Sequence, residues 1–174
     1  MQTSRYFFAL WPNPVVVRQL VLLQRGLPGG HCLHPDDFHL TLAFLGSLPV
    51  SLESRLVCVL QTMSACATGL VLDRLDSFKR IRLTWVGPGH VPDGLSAMQA
   101  FLADSLAKQA IWHDDRYGFR PHVTLARKVV VPGRHLGAPI VWHADRLILA
   151  RSGSLQPQRR YTIVAERHLG GTAR

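Results

Sequence analysis

The stretch FHLTLAFLG at residues 38–46 decides the fold, because nearly the same stretch, PHVTLAR, recurs at residues 121–127. Each copy contains a histidine, an apolar residue, a threonine, a leucine and an alanine in that order. Short runs rich in apolar and β-compatible residues, bounded by glycine or proline, are typical of strands. Two matching strands are therefore predicted, one in each half of the chain.

The polar residues of both stretches share one face of their strand. Side chains alternate between faces, so His39 and Thr41 point to the same side of the first strand. The second strand presents His122 and Thr124 in the same way. Alternation assigns four apolar residues of the first stretch to its other face: Phe38, Leu40, Leu42 and Phe44. If the two strands face each other, two imidazoles and two hydroxyls converge on one place.

The segments around these strands alternate between helical and extended patterns. Asn13 and Pro14 supply an N-cap and a first-turn proline for a helix over residues 14–25, and further helices are predicted over residues 51–68 and 95–109. The remaining strands are predicted over residues 5–10, 70–78, 81–86, 140–150 and 161–168. The predicted fold class is α+β, with two pseudo-symmetric lobes. Each half of the chain forms an antiparallel sheet backed by helices, and a central groove carries the two motifs.

Length and composition indicate one domain spanning residues 1–174. The chain is 47% hydrophobic, and no apolar run approaches the roughly 20 residues that a bilayer span needs, which argues against a membrane protein. Its N-terminus lacks a small-residue cleavage site, so we expect a cytoplasmic protein. The three cysteines, without any CxxC spacing, argue against a disulfide framework and a thiolate zinc site. We expect a monomer.

The charge balance favours a phosphate-bearing partner. The chain has 20 Lys and Arg against 11 Asp and Glu, a formal net charge of +9, and 17 of the 20 cations are arginine. Arginine binds phosphate in a planar, bidentate way, although a GC-rich genome would raise the same ratio. A small domain this basic usually meets a polyanion or a phosphate.

A pair of histidines suits the cleavage of a phosphodiester. The in-line reaction removes a proton from the incoming oxygen and delivers one to the leaving oxygen on the opposite side. Because the ordinary pKa of histidine is about 6.5, one imidazole can be neutral and the other protonated near pH 7. The threonine hydroxyls would hydrogen-bond the non-bridging phosphate oxygens, where charge accumulates in the transition state. This scheme needs neither a metal nor a cofactor.

Other interpretations of the histidines are weaker. A zinc site at His39 and His122 needs a third ligand, for which Asp36 or Asp37 could serve, but no HExxH or Cys/His spacing supports it. Asp37 could instead orient the His39 imidazole or lie in a solvated loop. The remaining seven histidines are interpreted as ordinary core or surface residues: His31, His34, His90, His113, His135, His143 and His168.

The sequence resembles the two-histidine phosphoesterases, and within them the RNA 2′,3′-cyclic phosphodiesterases, also called 2′-5′ RNA ligases. Four stretches carry the resemblance over nearly the whole chain: RYFFALWP at 5–12, DDFHLTLAFLG at 36–46, FRPHVTLAR at 119–127 and RLILARSGSLQPQRRYTIV at 146–164. The doubled histidine motif is specific for the superfamily and less specific for the substrate.

The resemblance implies a role for each motif residue. His39 matches the family's proton donor and His122 its proton acceptor, while Thr41 and Thr124 match phosphate-binding threonines. Arg127 matches an arginine that serves as an anion ligand in relatives. Strict alternation from His122 would put Arg127 on the opposite face, whereas Arg120 has the same parity as His122 and is the geometric alternative. Four aromatic residues near the motifs are candidate platforms for a nucleobase: Phe8, Trp85, Tyr117 and Phe119.

The implied activity is metal-independent hydrolysis of an RNA terminal 2′,3′-cyclic phosphate to a 2′-phosphomonoester, with 2′-5′ RNA ligation as a further possibility on the same groups. The expected partners are RNA ends with a 2′,3′-cyclic phosphate or small cyclic nucleotides. An enzyme for a small cyclic nucleotide or an ADP-ribose-type cyclic phosphate is the alternative. A non-catalytic RNA-binding module is a third interpretation, which the presence of both histidines and both threonines disfavours.

Overall fold

A computed structural model describes residues 2–63, 66–116, 118–153 and 159–170. Within these residues the chain forms three α-helices and one mixed-length sheet of nine strands. The helices are α1 (Pro14–Arg25), α2 (Glu53–Thr62) and α3 (Asp93–Lys108). The strands are β1 (Thr3–Leu10), β2 (His31–Cys32), β3 (Leu40–Pro49), β4 (Thr68–Phe78), β5 (Leu83–Pro88), β6 (Val123–Arg127), β7 (Arg134–Ala144), β8 (Arg146–Ser152) and β9 (Tyr161–His168).

The sheet divides into two lobes where its two motif strands meet. The strand order is β7-β4-β5-β6-β3-β1-β8-β9, with β2 beside β6, and neighbouring strands run antiparallel. In the described part of the chain, strands β3 and β6 pair through Leu40 and Val123 alone. We call β1, β3, β8 and β9 the His39 lobe, and β2, β4, β5, β6 and β7 the His122 lobe. The two-lobed α+β prediction is confirmed.

The prediction assumed that each half of the sequence forms one lobe. The structure shows that the lobes do not correspond to the two halves. The His39 lobe combines β1 and β3 with the last two strands, while β4 and β5 from the first half join the His122 lobe. The helices follow the same exchange. Helix α1 packs on β6 and β7, whereas α2 packs on β8 and β9 and α3 packs on β3. Each lobe contains strands from both halves of the sequence, so the chain crosses between the lobes several times, and the β3–β6 pairing joins them as well.

Local signals set the first helix correctly. The Asn13 side chain accepts hydrogen bonds from the backbone N–H groups of Val15 and Val16, each at 3.0 Å, and Pro14 occupies the first turn. These contacts satisfy N–H groups that have no partner within a helix. The helix buries Val16 and Leu20 against the sheet, as its apolar spacing requires.

Two predicted boundaries are wrong. The helix predicted over residues 51–68 ends at Thr62, and Thr68 already belongs to β4. No glycine or proline interrupts the sequence between them, so no local signal marks the end. The single strand predicted over residues 140–150 is two strands, β7 and β8, which separate at Asp145 and pair in different lobes. Residues 140–150 keep a strand-like pattern throughout, although β7 pairs with β4 and β8 pairs with β1. The alternation of side chains alone does not reveal where the pairing partner changes.

Candidate active site

The contact between β3 and β6 brings the two motifs together. Leu40 opposes Val123 and both are fully buried in the main core. Extending this antiparallel register by one residue on each side places His39 across from Thr124, and Thr41 across from His122. The residues adjacent to Leu40 and Val123 lie on the opposite face from the core. All four polar residues of the motifs therefore meet on one face of the sheet, in a crosswise arrangement.

A β-bulge in each motif changes which later residues share that face. In the β1–β3 pair, Ala9 opposes Thr41 and Phe8 opposes Ala43, so Leu42 is the extra residue. In the β5–β6 pair, Trp85 opposes Thr124 and Thr84 opposes Ala126, and the extra residue is Leu125. The leucine of the shared His-x-Thr-Leu-Ala pattern thus forms a bulge in both strands.

The first bulge corrects the predicted orientation of Phe44. Phe44 opposes Phe7, whose ring lies 4.8 Å from that of His39, so Phe44 is on the same face as the histidine. It is 39% exposed, whereas Leu42 and Leu45 are buried. Strict alternation assigned Phe44 to the core face because it does not count the extra residue.

The second bulge resolves the position of Arg127. Arg127 opposes Leu83, which has the same parity as Trp85 and therefore lies on the face of Thr124 and His122. The Arg127 guanidinium is close enough to His39 to act on it electrostatically. Its Nε is buried and has no hydrogen-bond partner among the described residues. A buried donor left unpaired costs about 1–3 kcal/mol, which favours an anion as its missing partner.

A residue of helix α1 stabilises the bulge at Leu125, which determines the face on which Arg127 lies. The buried side chain of Gln24 donates to the carbonyl oxygens of Leu33 and Leu125, at 2.9 and 2.8 Å. The Leu33 backbone N–H also donates to the Leu125 carbonyl at 3.0 Å. A residue of the first helix thereby fixes the bulge beside Arg127, a contact that sequence reasoning missed because it joins distant parts of the chain.

Both histidines are held in the same way. Nδ1 of His39 lies 2.7 Å from the Asp37 carbonyl oxygen, and Nδ1 of His122 lies 2.7 Å from the Arg120 carbonyl oxygen. A carbonyl only accepts, so each Nδ1 carries the hydrogen and each neutral ring has its lone pair on Nε2. Neither Nε2 has a hydrogen-bond partner among the described residues. Asp37 thus orients His39 through its backbone, a contact that the sequence-based alternatives for its side chain did not include.

The carboxylates before the first motif bind the C-terminal part of the chain. The buried Asp37 carboxylate accepts the backbone N–H of Arg160, with distances of 3.0 and 3.2 Å to its two oxygens. Asp36 forms an ion pair with Arg159. Burial raises the pKa of Asp37, and its hydrogen bond with Arg160 opposes that shift. The buried Asp37 side chain is therefore not a solvated loop group, and the contacts of Asp36 and Asp37 tie the approach to His39 to the residues just before β9.

Burial lowers the pKa of both imidazoles. Desolvation is the main cause of the shift to about 4 for His39, with further lowering by His122 and Arg127 and an opposing effect of the hydrogen bond to the Asp37 carbonyl. Desolvation also lowers the pKa of His122, against the opposing hydrogen bond to Arg120. Both rings are therefore neutral at pH 7 in the free protein.

The His39 ring is enclosed by aromatic side chains. Trp11 stacks on it at a centroid distance of 5.2 Å, Tyr161 meets it edge-on at 5.1 Å, and Phe7 lies on a further side. These residues form a small second core with neighbours from β8. Of the predicted nucleobase platforms, Phe8 is instead fully buried in the main core.

The His122 ring is more open. Phe78 meets it edge-on at 5.0 Å, and Trp85 is tilted at 6.0 Å. Trp85 and Phe119 line a cavity next to His122, so two of the four predicted platforms lie beside the motif. Arg120 also lines this cavity with an exposed side chain. Tyr117 lies outside the described residues.

The remaining groups of the site are free to bind a ligand. Thr41 and Thr124 are half-buried, and the described residues give their hydroxyls no hydrogen-bond partner.

Within the described ranges, no three His, Cys, Asp or Glu side chains come together in a way that could hold a metal ion. No helix in the described part of the chain is long and apolar enough to cross a membrane.

The chain is similar to proteins of one known superfamily. The model of the 2′-5′ RNA ligase superfamily matches residues 16–151. The RNA 2′,3′-cyclic phosphodiesterase of Escherichia coli strain K12 is 29% identical over 130 residues, which cover 72% of this chain and 73% of that protein.

Solved structures match over nearly the whole chain. The crystal structure of E. coli LigT in apo form gives a TM-score of 0.82 with 25% identity, over 98% of this chain and 99% of LigT. LigT complexed with 3′-AMP gives a TM-score of 0.83 with 26% identity, over 97% and 99%. The resemblance seen in the sequence motifs is confirmed: the chain belongs to the 2′-5′ RNA ligase superfamily.

Proposed function

We propose that this protein hydrolyses the 2′,3′-cyclic phosphate at the end of an RNA and leaves a 2′-phosphomonoester. The observation that supports this most strongly is the pair of imidazoles, each anchored at Nδ1 by a carbonyl and each with Nε2 free, on the face that also holds Thr41, Thr124 and Arg127. The E. coli relative is an RNA 2′,3′-cyclic phosphodiesterase, which supports the same substrate class.

In the proposed reaction, Nε2 of His122 removes a proton from water as the water oxygen attacks phosphorus. The bond from phosphorus to the ribose 3′ oxygen breaks on the opposite side, and Nε2–H of a protonated His39 supplies the proton to that oxygen. The 2′ ester bond remains. The more open surroundings of His122 favour it as the residue that meets the incoming water, while the aromatic enclosure of His39 suits a group that contacts only the substrate.

The substrate itself helps to prepare the acid. His39 is neutral in the free protein at pH 7 because burial lowers its pKa to about 4. A negatively charged phosphate beside an imidazole favours the protonated form and so raises that pKa. Binding of the cyclic phosphate would therefore be coupled to uptake of a proton on one of the two rings, while the other remains neutral and acts as the base.

The other groups bind the phosphate. The hydroxyls of Thr41 and Thr124 would donate to the two non-bridging oxygens, on which negative charge increases in the transition state. Arg127 would supply its unpaired Nε–H and a full positive charge to the same oxygens. The scheme uses no metal ion, since the proton transfers and the charge stabilisation come from side chains.

The experiment is to incubate the purified protein with an oligoribonucleotide ending in a 2′,3′-cyclic phosphate, with and without EDTA. The proposal predicts opening of the cyclic phosphate at the same rate in both. Binding without turnover would support a non-catalytic RNA-binding module. Loss of activity in EDTA with recovery on adding zinc would support the metal hypothesis. A parallel reaction with a cyclic mononucleotide tests the alternative of a small-nucleotide enzyme.

A further inference from the structure

The turn between β4 and β5 concentrates positive charge. Residues 78–82 read FKRIR, and Lys79, Arg80 and Arg82 are all exposed. Lys128, directly after β6, is exposed as well. The Arg82 guanidinium donates to the Lys128 carbonyl oxygen at 3.1 Å, so the turn and the end of β6 form one surface. We call Lys79, Arg80, Arg82 and Lys128 the basic turn surface.

The charge of the basic turn surface is not neutralised within the described part of the chain. None of its four cations forms an ion pair with a described residue. Residues 78–82 and 127–133 contain neither aspartate nor glutamate. Elsewhere, six cations do pair with a carboxylate: Arg74, Lys108, Arg116, Arg146, Arg151 and Arg159. Four neighbouring cations without acidic partners create the positive potential that attracts a polyanion.

Two residues of this surface have an unusual backbone conformation. The φ angle is 49° at Arg82 and 61° at Lys128, in the left-handed region that glycine adopts without strain and other residues adopt rarely. Among the described non-glycine residues, Ala110 alone shares a positive φ. Strained conformations of this kind cluster at functional sites. The sequence therefore has a cation at two positions where glycine would fit with less strain.

Arg127 joins the basic turn surface to the active site. It opposes Leu83, the first residue after the turn, and Lys128 follows it directly. The ring of Phe78, the last residue before the turn, meets the His122 ring edge-on at 5.0 Å. The surface thus begins directly beside the arginine that is proposed to bind the reacting phosphate.

We propose that the basic turn surface binds the phosphate backbone of the RNA immediately upstream of the cyclic phosphate, and that the protein therefore prefers oligonucleotide ends to mononucleotides. This inference rests on the proposed function, because the ribose orientation given there determines where the strand leaves the site. The ribose carbon that bears the leaving 3′ oxygen is bonded to C4′, and C4′ leads through C5′ to the upstream phosphate. The upstream strand consequently leaves on the side of His39.

The register of the motif strands directs that side towards Arg127. His39 lies across from Thr124, and Arg127 is the next residue of β6 on the site face after the bulge. His122 lies towards the opposite end of the strand pair. An RNA strand that leaves beside His39 therefore passes Arg127 and reaches the basic turn surface.

The opposite end of the strand pair offers a separate approach for water. In β1, the residue opposite Leu40 is followed by Trp11, whose ring stacks on His39. In β5, the residue opposite Val123 is followed by Gly87, so Gly87 and Trp11 occupy corresponding positions. Gly87 has no side chain to cover His122, and an open cavity of about 410 Å³ adjoins that ring. A strand bound on the basic turn surface leaves this cavity open to the attacking water.

The composition of the surface suits a backbone of any sequence. Lys and Arg bind phosphate oxygens without reading the bases. Each phosphate contact with a single strand releases counterions, so the logarithm of affinity falls with the logarithm of salt concentration by about 0.7 per contact. A 2′,3′-cyclic mononucleotide with a 5′-hydroxyl has no upstream phosphate. The surface should therefore act on oligonucleotides alone.

The test measures kcat/KM for two substrates over a range of salt concentrations. One is a 2′,3′-cyclic mononucleotide with a 5′-hydroxyl, and the other is a short oligoribonucleotide ending in the same cyclic phosphate. The double variant Lys79→Gln/Arg80→Gln should lower kcat/KM for the oligonucleotide about tenfold at low salt and reduce its salt slope by about 1.4, for the loss of two phosphate contacts. Its kcat/KM for the mononucleotide should not change, which also shows that the variant is folded.

Two further variants complete the set. Lys128→Gln, in the other segment of the surface, should lower kcat/KM for the oligonucleotide several-fold. The matched control is Arg18→Gln/Lys108→Gln, which removes the same charge from exposed positions of α1 and α3 and should leave both substrates unaffected. Binding of a labelled oligoribonucleotide ending in a 2′-phosphate, followed by fluorescence anisotropy, gives a readout that needs no turnover. The turn variant should bind it about tenfold more weakly than the control variant.

The outcomes separate this inference from the proposed function. Absence of any opening of either substrate contradicts the proposed function, even where the binding difference is seen. Opening of both substrates with equal oligonucleotide kinetics and equal salt slopes in the turn and control variants contradicts the inference alone. The inference also fails if the turn variants lower kcat/KM for the mononucleotide as much as for the oligonucleotide, because the surface would then act on the site itself.

Discussion

The two histidine motifs share their backbone geometry and differ in almost everything that surrounds it. In each, the imidazole donates from Nδ1 to the carbonyl two residues earlier, at 2.7 Å, and a leucine forms a bulge after the threonine. The residue brought onto the site face after the bulge is Phe44 in one motif and Arg127 in the other. The repeated strand thus presents equivalent imidazole and hydroxyl groups on one face, and the single residues around them make the two sides of the site unlike.

The two imidazole rings also differ in how far neighbouring side chains enclose them. His39 is stacked on Trp11, whereas His122 has Gly87 at the corresponding position and an open cavity beside it. A fully symmetric site would hold a cyclic phosphate equally well in two orientations and would release either isomer. In the proposed reaction, an arginine on one side and an opening on the other would favour one orientation of the ribose, which is what a single product requires.

The largest effect should come from removing either imidazole. His39→Ala and His122→Ala are each expected to lower kcat for cyclic phosphate opening by about 10²- to 10⁴-fold, because each removes one proton transfer. Rates with purified variants check this, and His143→Ala, an exposed histidine on β7, is the matched control. Activity that survives in one of the two variants would break the comparison by showing that only one ring acts chemically.

The threonines should have equal effects. Thr41→Val and Thr124→Val replace each hydroxyl by a methyl of similar size, and each should lower kcat by about 10²-fold through loss of a hydrogen bond to a phosphate oxygen. Steady-state kinetics of both variants measure the effect. A large loss for one threonine and none for the other would mean that the phosphate lies closer to one motif than the crosswise register implies.

Arg127 and Phe44 should differ sharply although they occupy corresponding positions. Arg127→Gln is expected to lower kcat/KM by about 10- to 100-fold, the scale of one charge-assisted hydrogen bond. Phe44→Ala removes a half-exposed ring that has no charge to offer the phosphate and should cost less than Arg127→Gln. Measuring kcat/KM of the two variants with the same substrate checks this difference between the two motifs. Equal losses would contradict the proposal that Arg127 binds the phosphate and Phe44 does not.

A smaller effect should appear in the pH dependence. The profile of kcat/KM reports the free enzyme, in which burial lowers the pKa of His39 to about 4 and also lowers that of His122. The acid form of His39 is lost as the pH rises through its pKa, and the base form of His122 is lost as the pH falls through its own. We therefore expect a bell with its maximum below pH 6.5, and a kcat maximum at higher pH because bound phosphate raises both values. A kcat/KM maximum at pH 8 would contradict this.

Local rules predicted the elements whose signals lie within a few residues. The cap of α1 at Asn13 and the shared polar face of His39 and Thr41 both follow from the positions of adjacent residues. The end of α2 at Thr62 and the division of β7 from β8 were not predictable, because they depend on which distant strand pairs with each segment. Pairing partners are a property of the assembled sheet.

The site shows the same division between local and distant causes. The repeat alone predicted that the four polar motif residues meet on one face of the sheet: His39, Thr41, His122 and Thr124. The face of Arg127 was not, since it depends on a bulge at Leu125 that Gln24 holds from another element. Gly87 in the His122 lobe corresponds to Trp11 in the His39 lobe. The missing side chain at Gly87 is likewise visible only when the two lobes are compared position by position.

Identification of the product isomer tests the central claim most directly. The claim is that the two unlike sides of the site hold the ribose in one orientation, with the 3′ oxygen beside His39 and the attacking water beside His122. The measurement is digestion of a 2′,3′-cyclic phosphate end followed by chromatography that separates the 2′- from the 3′-phosphomonoester. The account predicts the 2′-phosphate alone. A predominantly 3′-phosphate product, or a mixture of the two, would contradict it.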